Sequence, residues 1–317
     1  MSDGAHLLIP FASSHAAGCV EARATLALPR LEKLLSRLER TTADAGEENS
    51  LSMPHERVLA RECGLAAPDG LIPWAAWQVH RAGGDPAQAA WALITPCHWR
   101  VGSDHVAMDD PQHLQLEESD ARALFAAMQP YFEEDAIVLT YDTPDRWLAR
   151  GDMFRELATA SLDRVVGRAV DSWLPRVPRA GALRRLQQEM QMLLYTNDVN
   201  EERLARGLLP VNSFWISGTG ALPTGHPAAP PPGLTVTDAL RQPALQGDWA
   251  TWAAAWRQVD ESDCARLLDA LDAGQPVSLT LGGERSAHTW SSQGGGWWRR
   301  IGSAFSGKQA MAVLEAL

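Results

Sequence analysis

The hydrophobic positions change their period along the first sixty residues, and each change predicts a different element. An uninterrupted apolar run over residues 7–12 is typical of a short buried strand. A helix is predicted after Pro29, because leucines then recur at helical spacing, at Leu31, Leu34, Leu35 and Leu38. The polar, acidic stretch 41–54 has no such period and predicts a loop.

Strands and helices then follow each other through the middle of the chain. Strands are predicted where residues are apolar or alternate, at 90–96, 98–101, 105–108, 136–141 and 211–217. A leucine- and methionine-rich stripe predicts a helix over 183–193, and a second helix, 200–206, ends at Gly207. Gly218 and Gly220 predict a turn after the last of these strands.

The last third of the chain begins after the clearest boundary in the sequence. Five prolines within residues 223–233 predict a stiff, extended connector. Strands are predicted at 277–281 and 287–290. Tryptophans at helical spacing mark one helix face and recur in a final helix, at Trp249, Trp252, Trp256, Trp297 and Trp298.

The length and net charge of the chain exclude some classes of protein. The 317 residues are enough for about two domains. A net charge of −11 repels phosphate backbones, so we expect no nucleic-acid partner. A small anion held by a local arginine pocket remains compatible with that charge. No apolar run reaches the roughly 18 residues of a membrane span, and no signal peptide is evident, so we expect a cytoplasmic protein.

The four cysteines are scattered without a Cys-x-x-Cys pair, so neither a disulfide framework nor a structural zinc site is predicted. His15 and Cys19 have the spacing of half a metal site on a helix, but two such residues are more often a coincidence. No cofactor and no metal site are therefore predicted.

The densest group of polar residues lies at 197–220. A helix carrying Asn200 and Arg203 precedes a strand that leads into glycines, an arrangement in which backbone amides and an arginine can hold an anion. The candidate ligand-binding residues are Asn200, Arg203, Asn212, Trp215, Gly218 and Gly220. A structural interpretation competes with this one, because Asn200 can cap its helix, Trp215 can be core and both glycines can serve a turn.

The same segment, from Leu193 to Gly220, resembles one in the archaeal-type cofactor-independent phosphoglycerate mutases, which belong to the alkaline phosphatase superfamily. The resemblance extends over roughly residues 90–223 and includes Asp145-Arg146-Trp147-Leu148, similar to a Tyr-Arg-His-Leu strand of that family. It implies that 90–223 is the inserted domain of such an enzyme and adds Arg146 to the ligand-facing residues.

The whole chain is more similar to the bacterial RpfE-type regulatory proteins, which are described as phosphoglycerate-mutase-like. This second resemblance includes the opening Leu-Leu-Ile-Pro-Phe-Ala and the block from Glu189 to Gly220. It implies a regulatory role.

The departures from the mutase pattern concern its metal chemistry. In the mutases the first strand ends in a metal-binding Asp, whereas here it ends in Pro10-Phe11-Ala12 and is followed by Ser13 and Ser14. The late Asp–His pair of the family is also absent. The resemblance therefore implies the scaffold and an anion pocket without the two-metal reaction.

We accordingly expect an α/β protein with a reduced, alkaline-phosphatase-like base formed by residues 1–88 and 224–317, and an inserted α+β domain formed by 90–223. The expected function is a diverged, non-catalytic, regulatory protein that binds a small phosphorylated or carboxylated ligand. One alternative is an active metal-dependent mutase or phosphotransferase that holds Mn²⁺ or Zn²⁺ on His15, Asp260, Asp263 or His288. The other alternative is a module that docks a protein partner through its Trp-rich C-terminal part.

Overall fold

A computed structural model describes residues 4–226, 229–292 and 309–317 of the chain. The strands are β1 (Ala5–Ile9), β2 (Glu39–Ala45), β3 (Ala90–Cys97), β4 (Trp99–Val101), β5 (Val106–Met108), β6 (Val138–Thr143), β7 (Arg146–Arg150), β8 (Ser213–Ala221), β9 (Leu234–Val236), β10 (Val277–Gly282) and β11 (Ser286–Ser291).

The helices are α1 (Ala17–Ala24), α2 (Pro29–Arg37), α3 (Pro54–Glu62), α4 (Trp74–Arg81), α5 (Glu118–Glu134), α6 (Leu162–Val165), α7 (Gly181–Tyr195), α8 (Asp198–Ala205), α9 (Arg241–Gln246), α10 (Trp249–Val259), α11 (Ala265–Asp272) and α12 (Gln309–Glu315). None of the helices in the described residues is long and apolar enough to cross a membrane.

The chain forms two compact units. Unit 1 consists of Met1–Asn49, Met53–Cys63 and Pro230–Leu317, and unit 2 of Ser50–Ser52 and Gly64–Ala229. Residues 64–88, which the sequence interpretation groups with the terminal segments, therefore belong to unit 2. The assignment of a phosphatase-like base and an inserted domain stays a prediction.

Unit 1 is built on a five-stranded mixed sheet in the order β2-β11-β10-β1-β9. Strand β1 runs parallel to both β9 and β10, whereas β11 is antiparallel to β10 and to β2. Leucines of β1 and β10 pack with α2, α10 and α11 in one core, as the apolar runs in the sequence predict. Because β1 and β10 are parallel and in register, their carboxyl ends lie at the same edge of the sheet.

Strand β2 occupies part of the segment that the sequence predicts as a loop, so that prediction is wrong for residues 41–45. All its residues except the half-buried Asp44 are exposed. An edge strand of this kind is held by its backbone pairing with β11 and needs no buried side chains, so no hydrophobic alternation marks it.

Unit 2 contains a four-stranded antiparallel sheet in the order β6-β7-β3-β8. Helices α5 and α7 contribute apolar side chains to the core that includes this sheet. The predicted hairpin over 98–108 is confirmed, since β4 and β5 form a separate antiparallel pair. With mixed and antiparallel sheets beside helices, the two units confirm the predicted α/β class.

The predicted turn at Gly218 and Gly220 is wrong, because β8 continues through both residues. Their φ angles of 61° and 137° fall in a region that favours glycine, so the strand is irregular here but does not end. Helix α4 packs directly on this stretch, and a Cβ on Gly218 would lie 3.0 Å from the Cβ of Trp74. The glycines therefore allow a helix to approach the strand closely.

We predict that Gly218→Ala destabilises the protein more than Gly207→Ala does. Both glycines have positive φ, so alanine costs about 1–2 kcal/mol of backbone strain at either position. A Cβ at Gly207 meets nothing within 4 Å, whereas one at Gly218 crowds α4. Denaturant unfolding of both variants measures the difference, and equal losses would show that the close approach of α4 is unimportant.

Candidate functional site

Asn200, one of the predicted ligand-binding residues, is buried in unit 2, and both polar atoms of its side chain have hydrogen-bond partners there. Its side-chain amide donates to the carbonyl oxygens of Leu194 at 2.8 Å and Val211 at 2.7 Å, and its carbonyl accepts from the Val211 amide at 2.9 Å. The residue that caps α8 is instead Asn197, whose side chain accepts from the Val199 amide at 3.0 Å. Asn200 thus joins the end of α7 to the segment that precedes β8.

Arg203 is fully buried and forms the centre of a second network. Its guanidinium donates to the carbonyl oxygens of Leu209 and Leu114 and, at 2.8 Å, to the Asp120 carboxylate. Arg206 donates to the same carboxylate at 2.5 Å. Burial acts to raise the pKa of Asp120, but the hydrogen bonds from the two arginines outweigh it and hold that pKa below its usual value. The geometry makes Arg203 an internal tie between α5, α8 and the segments beside them.

The lowered pKa of Asp120 predicts a loss of stability in acid. A carboxyl whose folded-state pKa is depressed stabilises the fold above its ordinary pKa of 3.8, and this contribution disappears as pH falls through the lowered pKa. We expect Asp120→Asn to lose stability at pH 7 and to show a shallower fall of unfolding free energy in acid. Urea titrations between pH 7 and pH 2.5 measure this, with Asp152→Asn, whose side chain is 90% exposed, as the control. Parallel acid profiles for wild type and Asp120→Asn would contradict the prediction.

Two further candidates, Asn212 and Trp215, also have internal partners. The Asn212 side chain accepts from the Trp99 amide at 2.7 Å and donates to the Trp99 carbonyl at 2.9 Å, so it binds the outer edge of β4 as a neighbouring strand would. Trp215 is 1% exposed, and its indole donates to the Ala160 carbonyl at 2.9 Å. The competing interpretation of Trp215 as core is confirmed.

Arg146 differs from the other candidates because its side chain is 42% exposed. It stands at the first position of β7 and donates to Asp142 at 2.8 Å. No contact in the described residues joins Arg146 to Asn200, Arg203 or Asn212. A ligand-binding role for these residues stays a prediction. Arg203 could bind a ligand only after breaking its buried hydrogen bonds.

The four residues of the metal-dependent alternative have separate surroundings in unit 1. Asp260 is buried and accepts from the backbone amides of Leu31 and Arg30, at 2.8 and 3.3 Å, and burial raises its pKa. Asp263 pairs with Arg266. His288 lies against the ring of Trp290, and burial and the charge of Arg40 lower its pKa.

The fourth of these residues, His15, is exposed. Within the described ranges, no group of three or more His, Cys, Asp or Glu side chains is arranged to hold a metal ion.

A different group of polar residues lies where β1 and β10 end. After β1 the chain turns sharply at Phe11, whose φ is 55°. Two indoles of α10 fix this turn, since Trp252 donates to the Phe11 carbonyl at 2.9 Å and Trp256 to the Ala12 carbonyl at 3.0 Å. The turn leads directly into Ser13 and Ser14, so α10 positions both hydroxyls.

Both of these tryptophans are fully buried, so neither is available to the docking surface of the Trp-rich alternative. Trp249 is half-buried, and Trp297 and Trp298 lie outside the described residues.

Four side chains meet at this edge of the sheet, and we call Ser13, Ser14, Arg23 and Glu284 the strand-end cluster. The Arg23 guanidinium donates to the Ser13 hydroxyl at 2.9 Å and more weakly to the Leu314 carbonyl at 3.4 Å. Ser14 donates to the Glu284 carboxylate at 3.2 Å and accepts from the Ala16 amide at the start of α1. Arg23 forms no ion pair with any described residue, so part of its donor capacity is unused.

The buried Cys19 thiol lies beside this cluster. Burial raises its pKa, the Ser14 backbone and the charge of Arg23 act in the opposite direction, and the charge of Glu284 acts with burial. Both charged groups of the cluster therefore act on the pKa of this thiol, in opposite directions.

The comparison with the mutase pattern noted Ser13 and Ser14 only as the residues that follow the first strand, and the sequence indicated neither Arg23 nor the pairing of Ser14 with Glu284. That partner is 270 positions away along the chain, and only the parallel pairing of β1 with β10 brings it close.

No protein-family model matches the chain, and no curated protein is significantly similar to it. Several solved structures resemble it, including the two that follow. The cofactor-independent phosphoglycerate mutase from Thermoplasma acidophilum DSM 1728 is 12% identical, with a TM-score of 0.37 over 99% of each chain. The PH0037 protein from Pyrococcus horikoshii is 12% identical, with a TM-score of 0.47 over 93% of this chain and 89% of that one.

Proposed function

We propose that this chain is a binding protein for a small phosphorylated or carboxylated ligand and that the strand-end cluster is its binding site. One observation carries the proposal: Arg23 is a half-buried cation without a carboxylate partner in the described residues. Arginine is well suited to an anion with two or three oxygens, because its planar fork donates two parallel hydrogen bonds.

The position of the cluster in the fold supports the same conclusion. In sheets with parallel strands, ligands commonly bind beyond the carboxyl ends of the strands. Here that edge offers Arg23, the hydroxyl of Ser13 and the start of α1, a helix whose first amides carry partial positive charge. Glu284 has the opposite sign, so it would accept a hydrogen bond from a hydroxyl group of the ligand and repel a second anionic group.

The regulatory, RpfE-type and phosphoglycerate-mutase-like character is part of this proposal and rests on the sequence resemblance. We favour binding without turnover over the metal-dependent alternative. Asp260, the most deeply buried carboxylate of that alternative, already accepts two backbone amides of α2, which leaves it poorly placed to bind a metal as well.

Isothermal titration calorimetry of the full-length chain with inorganic phosphate and with 3-phosphoglycerate tests the proposed site. We expect Arg23→Gln to weaken binding by about tenfold or more, because it removes a charged donor while keeping an uncharged, polar side chain. The matched control, Arg155→Gln, removes an exposed arginine that pairs with Asp152 and is expected to bind like wild type.

Arg146→Gln completes the set of variants. Loss of binding in Arg146→Gln with unchanged binding in Arg23→Gln would move the site to the residues predicted from the sequence and would contradict the strand-end cluster.

A further inference from the structure

A groove of about 300 Å³ lies in unit 2, lined on one side by the β4–β5 hairpin and on the other by the carboxyl-terminal end of α7. Val101 and Val106 supply aliphatic surface, and Trp99 and Tyr195 supply aromatic surface. Val101 is 80% exposed and Tyr195 is 86% exposed. Single exposed apolar residues are ordinary, but large ones around one groove are typical of a binding surface.

The groove also contains an acid whose charge is not compensated. Asp171 lines it, and among the described residues its carboxylate has neither an ion pair nor a hydrogen bond. Arg176 donates at 3.1 Å to the backbone carbonyl of Asp171 rather than to its carboxylate. Arg100, on β4, is already paired with Asp109 at 3.0 Å.

The apolar lining of the groove and the charge of Asp171 together indicate which class of ligand it can bind. The Asp171 carboxylate repels an anion and attracts a cation, and a purely apolar ligand would make no use of its charge. An ammonium ion with apolar substituents suits the charged, aromatic and aliphatic parts of the lining, because aromatic faces attract cations and the aliphatic side chains receive the substituents. We propose that this groove binds a small organic ammonium ion, with its charge directed to Asp171 and its apolar part lying on Val101 and Val106.

The walls of the groove are held in place before any ligand arrives. The Asn212 side chain binds the backbone of Trp99 on both its amide and its carbonyl. A β-bridge between Ala107 and Ala169 ties the hairpin to the segment that carries Val170 and Asp171. Such preorganisation reduces the ordering cost of binding. This proposal is independent of the proposed anion site, since it concerns unit 2 and a ligand of the opposite charge.

Benzyltrimethylammonium, titrated calorimetrically into the full-length protein, tests the proposal. We expect saturable binding that weakens as NaCl is raised, because the groove is open to solvent and its charge is screened. Asp171→Asn keeps the shape and removes the charge, and Tyr195→Leu keeps an apolar side chain and removes the aromatic face. Each is expected to weaken binding by roughly three- to thirtyfold. Asp152→Asn, which neutralises an exposed acid elsewhere in the unit, is expected to bind like wild type.

A second pair of probes separates charge from shape. Choline and its neutral analogue 3,3-dimethylbutan-1-ol have nearly the same shape, and only choline is expected to bind. Absence of saturable binding by both ammonium ions, unchanged affinity in Asp171→Asn, or equal binding of the neutral analogue would overturn the proposal. Because Asp171 and Tyr195 are exposed, both variants are expected to fold, and a thermal melt confirms this.

Discussion

Replacing Arg203 by methionine lowers the free energy of unfolding by about 3–5 kcal/mol, the cost of removing one partner from a buried ion pair. Methionine fills much of the same space but supplies none of the donors. The Asp120 carboxylate then keeps only Arg206 at the solvent-facing side, and the carbonyl oxygens of Leu114 and Leu209 lose their donor. Guanidinium unfolding of the full-length chain measures the loss.

Arg146→Met is the matched control for this prediction. Arg146 is an exposed arginine of the same unit that is also paired with an aspartate, so the substitution is expected to cost no more than about 1 kcal/mol. Equal losses in the two variants would show that Arg203 is not the internal tie described above. Retained stability in Arg203→Met together with lost anion binding would instead support the ligand-facing role predicted from the sequence.

Replacing Trp256 by alanine has a similar effect in unit 1, about 3–5 kcal/mol, because it leaves a large cavity in a well-packed core. Trp256 is fully buried and contacts the ring of Trp252 in an edge-on arrangement. Trp256→Phe keeps most of the ring but removes the donor to the Ala12 carbonyl, and is expected to cost about 1–3 kcal/mol.

The phenylalanine variant also connects the core to the proposed site. The lost hydrogen bond fixes the turn that leads into Ser13 and Ser14, so we expect Trp256→Phe to weaken phosphate binding as well as stability. Trp249→Phe, a change on the same helix at a half-buried ring without such a bond, is the control. Unaltered binding in Trp256→Phe would show that the turn after β1 does not position the cluster.

Much of the scaffold was predictable because local patterns encode it. Leu31, Leu34 and Leu35 form a buried helix face as their spacing predicts, and the hairpin around residues 98–108 follows from turn chemistry between alternating runs. Strand β2 was not predicted from the sequence, because it pairs through backbone groups and this pairing leaves no hydrophobic pattern in its side chains.

The site was less predictable because its contacts are distant in sequence. Asn200 and Arg203 were singled out as polar residues near glycines, but their partners Val211, Leu114 and Asp120 show internal hydrogen bonding that spacing alone does not reveal. Arg23, in contrast, was not singled out from the sequence but belongs to the proposed site. It looks like an ordinary surface residue of a short helix until β1 and β10 bring Glu284 to the same sheet edge.

The ³¹P NMR spectrum of 3-phosphoglycerate mixed with the full-length chain and a small excess of Zn²⁺ tests binding without turnover most directly. We predict a shifted or broadened 3-phosphoglycerate resonance that returns to its free position in Arg23→Gln, with no 2-phosphoglycerate resonance over hours. A 2-phosphoglycerate resonance that grows with time and stops on addition of a chelator would contradict the proposal. A spectrum that the wild-type protein leaves unchanged, for both 3-phosphoglycerate and inorganic phosphate, would contradict it equally.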